Sequence, residues 1–95
     1  MVDKTKVNVI DSTLAERGIR YGAFKDHACI SQKLKVVMYE TENWKSLTPS
    51  MQESLEMIVH KIARILNGDP YYPDSWHDIA GYAKLIDDEL NGKIQ

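Results

Sequence analysis

The sequence predicts an all-α fold, a small bundle of three long helices preceded by a short N-terminal helix. Three observations lead there. Apolar residues recur at three- and four-residue spacing in three separate stretches, and nowhere do they alternate with period two over a strand's length. Helix start and stop signals at Thr48-Pro49, Asn67-Gly68 and Asn91-Gly92 cut the chain into helix-sized pieces. The 95 residues, 43% hydrophobic and 27% charged, have an ordinary globular composition, so a single helical domain over residues 1–95 is expected.

Residues 1–10 read as a loose N-terminal arm. Thr13 with Glu16 fits a capping box, and Gly18 is expected to stop the first helix within about two turns. The second helix should run from Ala23 to Asn43, with Phe24, His27, Ile30, Leu34, Val37 and Met38 along one side. For the third, Thr48 is an N-cap placed before an N1 proline, and Gly68 a left-handed C-terminal stop. Its apolar residues, Met51, Leu55, Ile58, Val59, Ile62, Ile65 and Leu66, span one arc. Pro70 and Pro73 forbid continuation. The fourth helix then starts near Asp74 or Ser75, with a stripe of Trp76, Ile79, Ala83, Ile86 and Leu90. The facing stripes imply one buried cluster of Leu34, Val37, Leu55, Ile58, Ile62, Ile79, Ala83 and Ile86. Gly81, inside a helix, suggests close approach by a neighbour, because glycine there costs about 1 kcal/mol relative to alanine.

Composition excludes several functions. A net charge of −2 argues against bulk nucleic-acid binding. A single cysteine, Cys29, rules out an intrachain disulfide and a cysteine-rich zinc module. Apolar runs are too short to span a membrane, and Met1 to Lys4 do not begin a signal peptide. No nucleophile elbow, P-loop, HExxH or GxGxxG motif occurs, so no catalytic residue is assigned.

Two sets of residues remain as candidate chemistry. The first is Arg17, Arg20, Tyr21, Lys61 and Arg64, a set suited to an anionic ligand or partner. Arg17 and Arg20 flank Gly18, Tyr21 offers a stacking ring, and arginine presents a fork that fits phosphate. Gly22 lets the chain turn before a helix whose free N–H groups also attract anions. Lys61 is alternatively a latch to Asp78 or Asp74 across the last helical hairpin. The second set is acidic. Glu53, Glu56 and Asp78 carry oxygen ligands of the kind magnesium takes. His27, on an apolar side, reads as a core residue. Met57, Tyr39, Cys29 and Val36 lie off the main stripes, and burying them favours a homo-oligomer.

Glu16-Arg17, Tyr21-Gly22, Lys61-Ile-Ala-Arg64 and the run from Asp74 through Asp78-Ile-Ala-Gly81-Tyr82-Ala together resemble an uncharacterised family of small helical proteins encoded mainly by tailed phages and prophages. The resemblance implies a phage accessory protein in the cytoplasm of the bacterial host. It implies no established reaction and no cofactor. Its partner would be a nucleotide-like small molecule or a host defence protein, without membrane contact. A looser similarity is to MazG-like all-α nucleotide pyrophosphatases, which hold magnesium with Glu-x-x-Glu on one helix and Glu-x-x-Asp on the next. Glu53 and Glu56 imitate the first half, whereas Asp74 and Asp78, four apart, depart from the second.

Overall fold

The computed structural model describes residues 4–93. Among these it is all-helical, with α1 at Lys4–Tyr21, α2 at Phe24–Tyr39, α3 at Pro49–Asn67 and α4 at Pro73–Leu90, and a short 3-10 turn at Asn43–Ser46. The first helix is not short. It begins at Lys4, inside the stretch expected to be a loose arm, and passes through Gly18. Residues 1–3 of that arm lie outside the described residues. Thr13 is not a cap; its hydroxyl donates back to the Val9 carbonyl at 2.9 Å within the helix. Gly18 is tolerated because glycine inside an exposed helix costs only about 1 kcal/mol, and the left-handed turn that follows α1 comes at Gly22, with φ of +77°. Gly22 N–H closes the helix on the Gly18 carbonyl at 2.9 Å.

α2 ends at Tyr39, four residues before the expected limit. The chain then enters the 3-10 turn, where Trp44 packs on the Tyr39 ring at 5.0 Å and its carbonyl accepts from Gln52 Nε2 at 2.9 Å. α3 starts as its sequence dictates: Thr48 Oγ1 accepts from Met51 N–H at 3.2 Å, and Pro49 fills the first turn. Its end differs from expectation. Gly68 has φ of −130° and is not left-handed. It is required for another reason, since a Cβ there would run into the Arg20 carbonyl and the Tyr21 backbone. α4 begins at Pro73, and Trp76 ties the preceding loop down by donating to the Pro70 carbonyl at 2.8 Å.

α3 is the central helix. α2 and α4 both pack along it, and α1 makes far fewer contacts with the rest, among them those of Arg20 and Tyr21 at its C-terminal end. Both neighbours run antiparallel to α3. On one side His27 meets His60 and Tyr39 meets Glu56; on the other Tyr82 meets Ser54 and Asp78 meets Lys61. At about 100° per residue these two sets of α3 positions lie roughly 130° apart, so the neighbours flank α3 and leave the wider arc to its apolar residues. The three helices therefore form an open layer in which α2 and α4 do not pack on each other.

This arrangement overturns the expected core. The buried apolar residues are Val59 and Ala63, accompanied by the polar His27, Ser31, Ser54, Ser75 and Asp88. Ser54 and Ser75 are small enough to let α3 and α4 approach closely, and Ser54 Oγ donates to the Tyr82 carbonyl at 2.9 Å. Of the eight residues expected in one buried cluster, Val37, Leu55 and Ala83 are exposed and the others half-buried. Trp76 and Leu90 are exposed too. The stripes exist, but they share one outer face of the layer instead of closing on one another. Gly81 has no close neighbour: a Cβ there would meet nothing within 4 Å.

Candidate functional site

The corner where α1 ends, α2 begins and α3 ends is a knot of backbone contacts. Asn67 Nδ2 donates to the carbonyls of Tyr21 at 2.9 Å and Ala23 at 3.0 Å, and Asp69 N–H donates to the Arg20 carbonyl at 2.7 Å. Gly22 fits because a side chain there would collide with Asn67. The knot fixes the directions in which α1 and α2 leave, and they diverge.

Between them lies a cleft of about 560 Å³, lined by Leu14, Arg17, Tyr21, Phe24, His27, His60 and Arg64 with the glycine corner. That volume suits a small-molecule ligand. The Arg64 guanidinium stacks on the Tyr21 ring at 4.1 Å, and Tyr21 rests edge-on against Tyr72 at 6.0 Å. Stacking fixes the arginine while leaving its N–H donors in its plane free to bond. No carboxylate lines the cleft, so its two guanidinium groups give it a positive field. The first turn of α2 also opens there, and Ala23, its N-cap, supplies no side-chain bond to the free N–H groups.

His27 and His60 form the floor, their rings edge to face with centroids 4.6 Å apart and Nε2 of His27 lying 3.2 Å from Nδ1 of His60. His27 is 5% exposed, and its Nδ1 is buried without a hydrogen-bond partner. An unpaired buried ring nitrogen costs free energy. Burial first, then the Arg64 guanidinium, holds His60 down at about 4. The same two causes, with Lys35, lower His27 from its ordinary value. Both rings are therefore neutral near pH 7.

Of the residues singled out by sequence, Arg17, Tyr21 and Arg64 meet in this cleft. Arg20 is turned away: it pairs with Glu16 at 2.6 Å and lies over the Tyr72 ring at 4.9 Å. Lys61 is absent from the cleft lining and is latched to Asp78 at 3.0 Å on the α4 side. The acidic set is not assembled. Asp78 is held by Lys61, Glu56 accepts from the Tyr39 hydroxyl at 2.7 Å, and among the described residues no group of three or more His, Cys, Asp or Glu is placed to hold a metal ion. His60 bonds to His27. Sequence reasoning missed this histidine pair as part of a site, although a histidine on an apolar side and another four residues before Arg64 were its visible signals.

A helical layer with an arginine-lined cleft that has no carboxylate among its lining residues defines the class, a small all-α protein. The model of a family described as "Domain of unknown function (DUF6378)" matches residues 8–90, and the chain belongs to that family. No curated protein and no solved structure matches it. No helix among the described residues is long and apolar enough to cross a membrane.

Proposed function

We propose that this is a non-enzymatic phage accessory protein that captures a nucleotide-like anionic ligand in the cytoplasm of an infected bacterium, denying a host defence component its signal. The phage setting rests on the sequence resemblance described above. The observation that carries the ligand class is the cleft itself, where Arg17 and Arg64 converge with no carboxylate among the lining residues. A phosphate or similar anion suits the guanidinium forks and the first turn of α2. A planar base suits the apolar faces of Phe24 and Tyr21. Arg20 and Lys61, engaged elsewhere, are left out of this site.

Calorimetric titration with linear and cyclic nucleotides tests the reading. Arg17→Ala and Arg64→Ala should each weaken binding tenfold or more, about 1.4 kcal/mol, with the melting temperature nearly unchanged. Absence of binding by any nucleotide at millimolar concentration would sink it. Magnesium-dependent release of pyrophosphate from nucleoside triphosphates would replace it with the pyrophosphatase reading, with Glu53, Glu56 and Asp78 as its residues.

A further inference from the structure

The face of the α2–α3–α4 layer opposite the cleft is apolar and uncovered. His60 and Arg64 look toward the cleft, while Leu55, Ile62 and Leu66 lie on the far side of α3. Because α2 and α4 run antiparallel to α3, the same helical geometry puts Ile30, Leu34 and Val37 of α2 on that far side. It puts Trp76, Ala83 and Leu90 of α4 there as well. Val37 is 64% exposed, Leu66 64%, Trp76 56% and Leu90 69%. The residues just named are uncharged, and the same spacing puts Asp87 beside Trp76 and Ala83 at the α4 edge of the face.

We infer that a second copy of this chain covers this face, so that two open layers close on each other into a two-layer homodimer. Stable domains bury their apolar faces between two layers, and one chain supplies only one. The dimensions agree. The chain exposes 7272 Å², whereas a compact monomer of 10.9 kDa exposes about 5,600 Å². The radius of gyration is 16.4 Å, against roughly 12–13 Å for a compact domain of this length. The excess area, about 1,700 Å², is shared between α1 and the apolar face. A standard stable interface takes about 800 Å² from each partner, which lies within that excess.

The occupant must be present whenever the chain folds, since Val59 and Ala63 alone make a very small core. Another copy meets that condition, and an isologous contact needs only the one self-complementary patch. The interface differs from the off-stripe set of Met57, Tyr39, Cys29 and Val36, and it does not depend on the ligand reading.

Sedimentation equilibrium without nucleotide tests it, on the whole chain and on Leu66→Glu and Val36→Lys. The expected result is a mass of two chains for the wild type and for Val36→Lys, with a melting temperature that rises with concentration. Leu66→Glu should sediment as one chain or lose its helicity. Because Leu66 is already solvated in a single chain, either outcome shows that the face is covered. A wild-type mass other than two chains, or a dimer that Leu66→Glu leaves intact, overturns the proposal. Ligand capture is scored separately by the arginine variants.

Discussion

The two sides of α3 are joined to their neighbours by different means. Toward α4 the contact runs along the helices, through the small Ser54 and Ser75 and the Lys61–Asp78 ion pair. Toward α1 and the start of α2 the tightest contact is a single point, where Gly22, Asn67, Gly68 and Asp69 bring backbone against backbone. Lengthwise packing of small residues leaves only smaller hollows between the helices, of about 240 and 300 Å³. Packing pinned at one point lets the helices diverge, and the bulky Tyr21, Phe24, His27, His60 and Arg64 then line a cleft. The candidate site follows from where the chain is tight as much as from which residues it carries.

The largest effect should come from breaking the pin. Gly68→Ala places a methyl against the Arg20 carbonyl and the Tyr21 backbone, which cannot swing aside as a flexible side chain would. A loss of about 2–4 kcal/mol in urea unfolding is expected, at or slightly above the usual overpacking range. A neutral result would show that the corner gives way easily. Next, Ala63→Leu crowds a position with 0% exposure and should cost about 1–3 kcal/mol. It should leave the glycine pin intact.

Acidification acts selectively on the cleft side. An unfolded chain protonates histidine near pH 6.5, whereas His60 in the fold resists protonation down to about 4 and His27 is lowered as well. The unfolded chain thus binds more protons, and stability present above pH 6.5 is lost as pH falls toward 4. Urea midpoints at pH 7.0 and 5.5 should differ in the wild type and draw together in His60→Gln. Equal midpoints in the wild type would mean that the histidine floor is more solvated than its geometry indicates. The smallest effect should be a gain. Gly81→Ala on the outer surface of α4 meets nothing within 4 Å and should stabilise by roughly 0.5–1 kcal/mol.

Much of this was legible locally. Thr48 and Pro49 announce the start of α3, because a cap needs only an acceptor and a residue without an N–H at fixed positions. The latch between Lys61 and Asp78 follows from a proline-forced reversal that sets two helices side by side. Arg17, Tyr21 and Arg64 stood out from their chemistry and line one cleft, and each apolar stripe was readable from its spacing. Tertiary structure decided the rest. Spacing fixes the angle of a stripe on its own helix, but not the angle at which the next helix arrives. Here that angle is set by Ser54, Ala63 and Ser75, where small side chains permit close approach, so the neighbours sit beside the apolar arc of α3 and leave it open. The same nonlocal choice moved the end of α1 from Gly18 to Gly22 and brought His27 against His60. A helix stop and a histidine pair both depend on which backbone or ring comes near, and no stretch of sequence contains its own neighbours.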